Sequence, residues 1–91
     1  MPKEEFAQLI GAFDRLATAG FITGPEWEAV HEICQNHEGQ HFFDWGHAIC
    51  HRVEGDDWNA SYWYRRAGKA VGAGPIAEDW AALREAISGK V

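Results

Sequence analysis

The sequence predicts an all-α fold, a compact bundle of about five short helices in a single domain spanning residues 1–91. Three observations predict it. Apolar residues recur at three- and four-residue intervals in five separate stretches, the period of a helix face rather than of a strand. Glycine or proline stands between consecutive stretches, where helices stop and start. With 91 residues, 46% of them apolar and 24% charged, the chain has the composition of a folded domain and material for one core.

The first stretch places Phe6, Leu9, Ile10, Phe13, Leu16 and Ala17 on one face, and Gly20 supplies a left-handed stop. Thr23-Gly24-Pro25-Glu26 has the spacing of a capping box with a proline in the first turn. A second helix is therefore expected from about Pro25 to His37, with Trp27, Val30, Ile33 and Cys34 inward and Gly39 as its end. The third, from about His41 to Glu54, is less ordinary. On a wheel of about 100° per residue, Phe42, Trp45, Ile49 and Val53 gather on one arc. Phe43, His47, Cys50, His51 and Glu54 gather on another. His41, Asp44, Ala48 and Arg52 fill the gap and are the expected solvent positions. Two enclosable arcs predict a central helix packed on both sides.

Gly55-Asp56-Asp57 forms a turn in which either aspartate can cap the fourth helix, expected over about Asp57 to Lys69. Gly68, Gly72, Gly74 and Pro75 mark a loop, and Ile76, Trp80, Leu83 and Ile87 define the fifth helix before Gly89. Glu4, Glu5, Glu78 and Asp79 suit helix N-termini and read as capping and solubility. Connections this short favour antiparallel neighbours.

Charge and length exclude several function classes. Eight basic against fourteen acidic side chains leave a net −6, which argues against a nucleic-acid partner. No stretch approaches the roughly 18 apolar residues of a membrane span, and the Met-Pro-Lys-Glu-Glu start does not read as a signal peptide. Two cysteines in such a chain are expected as reduced thiols, which places the protein in the cytoplasm.

From Asp44 to Ala67 the chain resembles one helical hairpin of the tetratricopeptide or Sel1-like type. Ala48, Gly55, Ala60, Tyr64 and Ala67 fall in its register, and "NASYWYRRAG" is close to a Sel1-like second helix. His47 and His51 depart from it, standing where the pattern has a large apolar residue and an aromatic one. The closing proline comes late, at Pro75, and Trp45 is one place off. No second copy is visible, so a repeat array is not expected. The resemblance implies an antiparallel hairpin that holds His47 and His51 against the fourth helix. With "HEG" and "GHAICHRVEGD", the whole pattern also resembles a small bacterial protein family without an assigned activity.

All five histidines fall between residues 31 and 51, with both cysteines in the same interval. His47-x-x-x-His51 lets two imidazoles on one helix face share a metal, with Glu54 one turn further. Glu28-x-x-His31 has the spacing used by metal sites in helix bundles. If the second and third helices pack antiparallel, Glu28, His31, His47 and His51, joined by Cys34 or Cys50, form a donor set suited to zinc or iron(II). The alternative is a hydrogen-bonded polar network that defines the core without chemistry. His37 and His41 flank the Gly39 turn and are expected in solvent. A Cys50–His dyad would need an activating neighbour and an oxyanion hole. Neither is legible, so no catalytic residue is assigned.

Trp58, Tyr62, Trp63, Tyr64, Arg65 and Arg66 crowd nine residues of the fourth helix. Trp, Tyr and Arg dominate binding hot spots, so Trp58, Tyr62, Arg65 and Arg66 are the expected interaction surface for a protein partner or a second copy. The functional expectation is a small binding or interaction module with a polar pocket lined by His31, His47, His51 and Glu54 beside Trp63. Its rival is a zinc- or iron-binding protein with a hydrolase or sensor role.

Overall fold

The computed structural model describes residues 2–89, with side chains from Glu4 onward. Met1, which opens the segment read above as lacking a leader, lies outside them. Five helices follow in order: α1 (Pro2–Thr18), α2 (Pro25–Gln35), α3 (His41–Val53), α4 (Asp57–Ala67) and α5 (Ile76–Ser88). No strand occurs among the described residues. The chain is an all-α bundle.

Local chemistry sets the boundaries. α1 ends at Thr18 and is closed by Gly20, φ 90°, where the Phe21 N–H reaches the Leu16 carbonyl at 3.0 Å and that of Gly20 reaches Ala17, a Schellman closure. The expected capping box at α2 does not form. Gly24 takes the N-cap with φ 155° and no side-chain bond, because a proline is best accommodated at the first helical position and Pro25 claims it. α2 also stops at Gln35, two residues short of the expected end. Of the two candidate aspartates it is Asp56 that caps α4, accepting from the Asn59 N–H, while Asp57 is the first helical residue; Gly68 closes the helix in the left-handed region with φ 72°.

α3 is the axis of the bundle and packs against α2, α4 and α5. Its eight residues from Phe43 to Cys50 are all buried. The solvent arc expected on α3 is thus half wrong: His41 is exposed and Arg52 half-buried, but Asp44 is 1% and Ala48 0% exposed. A helix enclosed on three sides has no wet stripe through its middle turns. Asp44 is tolerated there because its carboxylate accepts the Gly39 N–H at 3.1 Å. At the helix ends, Phe42 and Val53 are only half-buried.

α1 closes the core with Leu9, Ala12, Phe13 and Leu16, and Phe13 stacks on Trp80 of α5 at 4.3 Å between centroids. Where α3 passes α1 and α2 it carries Gly46. A Cβ there would stand 3.0 Å from both Cys34 Sγ and Phe13 Cε2. Gly46→Ala is therefore expected to cost about 1–3 kcal/mol by overpacking, read as a lowered urea midpoint at unchanged slope.

α5 is held by a polar knot that the sequence reading missed. Asp79, expected as an exposed cap, has a side chain only 13% exposed. It accepts from Trp45 Nε1 at 3.0 Å, from an Arg52 guanidinium nitrogen at 3.3 Å and from the Tyr64 hydroxyl. Three helices meet on one carboxylate. Burial, then the bond to Asp79, pushes the Tyr64 phenol well above its ordinary value, so Tyr64 stays a donor.

Candidate metal centre

The site begins with α2. Its buried line runs through Val30 and Cys34, which turns Trp27 and His31, one helical turn apart, toward α3. The two rings stack at 4.7 Å and 11°. Trp27 Nε1 donates to the Cys50 carbonyl at 2.7 Å, fixing the rotation of α2 against α3. On α3, His47 and His51 stand one turn apart with centroids 5.0 Å from each other. His31 meets both nearly edge-on, at 4.7 Å and 88° to His47 and at 5.4 Å and 83° to His51. One ligating atom from each of the three histidines lies within 4.8 Å of the other two. α4 adds a wall, with Trp63 stacked on His47 at 3.9 Å and 12°.

Electrostatics keep two of these rings, His47 and His31, uncharged. Burial, followed by the neighbouring His31 and His51, lowers the His47 pKa to about 3. Burial, then His51, also lowers that of His31, with Glu54 pulling the other way. At neutral pH both therefore carry free lone pairs. Among the described residues, His47 Nδ1 is the one buried side-chain polar atom without a hydrogen-bond partner. His51 Nδ1 lies 3.0 Å from Glu54 Oε2. A carboxylate can only accept, so it selects the tautomer that leaves the Nε2 lone pair free.

The remaining candidates divide. Glu28 is exposed and outside the cluster, because it sits about 60° further round α2 than His31, on the solvent side. Glu54 is exposed and acts on His51 rather than lining the cluster. Cys34 and Cys50 are buried free thiols and do not belong to the nitrogen trio. Burial and a hydrogen bond with Cys34 push the Cys50 thiol well up, the reverse of what a nucleophile or thiolate ligand needs. His37, expected in solvent, is half-buried, stacked on Phe43 at 4.3 Å with Nδ1 2.8 Å from the Ile33 carbonyl. His41 is exposed, and its Nδ1 lies 2.6 Å from the Ala67 carbonyl.

On α4 the expected interaction residues are outside. Trp58 is 76% and Tyr62 36% exposed, and Arg65 and Arg66 are exposed beside them. An Arg66 guanidinium nitrogen donates to the Tyr62 hydroxyl at 3.0 Å, and the guanidinium lies 5.2 Å from the Trp63 ring centre. An open groove of about 500 Å³ lies elsewhere, lined by Trp45, Lys69, Ala82, Glu85, Ala86 and Gly89; none of the expected site residues borders it. Among the described residues no helix is long and apolar enough to cross a membrane. No protein-family model, curated protein or solved structure matches this chain.

Proposed function

We propose that this chain is a transition-metal-binding protein whose centre is formed by His31, His47 and His51, with zinc(II) as the favoured ion. The observation that carries the reading is the convergence of three imidazoles from two helices to within 4.8 Å. Two of those rings resist protonation, and one buried nitrogen has no partner. Rings packed at 4.7–5.4 Å between centroids leave space for an ion rather than an organic molecule. Zinc–nitrogen bonds of about 2.0–2.1 Å put tetrahedral ligand atoms about 3.3 Å apart. The trio has to close by about 1.5 Å at most, which rotamer adjustment can supply. Non-haem iron(II) sites favour two histidines and a carboxylate; here Glu28 is exposed, and Glu54 and Asp56 group with His51 alone rather than with the trio. Glu54 behind His51 is the outer partner that metal-bound histidines usually have. Three protein ligands leave a fourth position open, as in sites that sense or act rather than only brace a fold.

Calorimetric titration of metal-free protein with zinc sulfate is expected to show one equivalent bound and a raised melting temperature. His51→Gln, at a half-buried position, should lose at least 100-fold in affinity, and Glu54→Gln about 10–100-fold. A melting temperature indifferent to excess zinc and to chelator overturns the reading.

A second reading, a protein-interaction module, is favoured by the exposure of Trp58 at 76%. The α3–α4 hairpin, with Ala48, Ala60 and Ala67 buried, supports the likeness to a single tetratricopeptide-type hairpin, a geometry suited to binding. Two buried free thiols accord with a reducing, cytoplasmic setting. The two readings are compatible.

A further inference from the structure

We infer that the open position of the three-histidine centre is filled from outside by a carboxylate of an acidic, extended peptide segment lying along α4. The inference rests on the metal reading above and names the partner of that site. Three neutral imidazoles leave a divalent ion with its full charge, so the vacant position favours an anion. Among the described residues the trio has no carboxylate member, and Glu54 already accepts from His51.

The surface beside the centre has matching chemistry. Trp63, stacked on His47, also meets the Tyr62 ring edge-on at 5.2 Å and lies beneath the Arg66 guanidinium. A continuous line of contacts thus joins the centre to the outside of α4. Trp58, Tyr62 and Arg66 follow one another at four-residue steps along that helix. Neither Arg65 nor Arg66 has a carboxylate within ion-pair distance among the described residues, whereas Arg52 and Arg84 are both paired. Asp44 and Glu38 act on Arg66 only from further away. On a chain of net −6, Arg65 and Arg66 make the C-terminal end of this ridge basic, while Asp57 precedes Trp58 at its other end. The two arginines complement an acidic partner. From Trp58 to Arg66 the ridge rises about 12 Å. That is too long for a small anion and matches about four residues of extended chain.

The probe is a fluorescein-labelled octapeptide of six glutamates around two central leucines, with a glutamine analogue as control. Anisotropy is read with zinc-loaded and metal-free protein, and the cobalt(II)-substituted protein is followed by its visible absorption. The loaded protein should bind the glutamate peptide at least tenfold more tightly than the metal-free form, and the cobalt band should shift on addition. Trp58→Ala and the pair Arg65→Gln with Arg66→Gln should each weaken binding at least tenfold while leaving the zinc titration unchanged. Equal affinity with and without metal, or equal affinity for the glutamine peptide, overturns the proposal. So does a cobalt shift reproduced by acetate at concentrations where the peptide does not bind. A Trp58-dependent doubling of mass in light scattering would make a second copy the occupant and overturn it too. Stoichiometric zinc without peptide binding ends this inference and leaves the metal reading standing; absence of metal binding ends both.

Discussion

Asp79→Ala should lower the unfolding free energy by about 3–4 kcal/mol, a large share of the roughly 5–15 kcal/mol available to a domain of this kind. The carboxylate accepts from Trp45, Arg52 and Tyr64, and hydrogen bonds to a charged group contribute about 1.5–3 kcal/mol each. The three do not add in full. Arg52 keeps a second bond to the Gly74 carbonyl, and its side chain is 16% exposed, so water can reach it. What remains is the cost of leaving the Trp45 indole N–H and the Tyr64 hydroxyl unpaired in the interior. Tyr64→Phe, which removes one donor and leaves the carboxylate paired with Arg52, should cost about 1–2 kcal/mol. Urea unfolding followed by tryptophan fluorescence measures both. An Asp79→Ala loss below about 1 kcal/mol would show that the knot is incidental to the fold. The loop crossing it is equally constrained, since a Cβ on Gly72 would stand 2.8 Å from both Arg52 and Asp79.

Metal-free protein should lose about 2 kcal/mol of stability between pH 7 and pH 5. His47 keeps its proton off in the fold until about pH 3, against 6.5 for the free side chain. Between those values the unfolded chain binds more protons than the folded one. Stability is therefore full above pH 6.5 and falls as the solution is acidified, by up to about 1.4 kcal/mol per pH unit. His31, shifted down for the same reason, adds in the same direction. The loss begins well above the range in which unperturbed carboxylates titrate, so the histidines can be told from ordinary acid unfolding. Urea midpoints at pH 7, 6 and 5 in the presence of chelator give the slope. His47→Gln should flatten it, whatever it does to the absolute stability. A wild-type profile level from pH 7 to 5 would mean that the ring is charged or solvated in the fold, and the packing of His31, His47 and His51 would have to be different.

Much of this was legible in the sequence because it is local. The apolar period of α1 and α5 depends only on neighbours within a turn or two, and the structure buries Leu9, Phe13, Leu16, Trp80, Leu83 and Ile87 accordingly. The His47–His51 pair is one helical turn by arithmetic, and the exposure of Trp58 follows from an aromatic excess that one short helix cannot bury. The failures are of two kinds. At α2 two local rules competed for the same residues, and the proline at the first helical position prevailed over the Thr23–Glu26 box. At α3 a wheel could sort residues into arcs but could not count the neighbours, so Asp44 and Ala48 were assigned to solvent that is not there.

The sequence by itself determined where the helices run and which donor atoms they carry, because propensity, capping and periodicity act over a few residues. Only the tertiary structure decided which of those atoms meet. His31 joins His47 and His51 while Glu28 does not because the Trp27–Cys50 bond and the buried Val30–Cys34 line set the rotation of α2. Asp79 becomes a hub because α5 returns to α3 and α4 at that height. Such meetings depend on the relative rotation and translation of helices distant in the chain, fixed by the packing of the whole core rather than by any one segment.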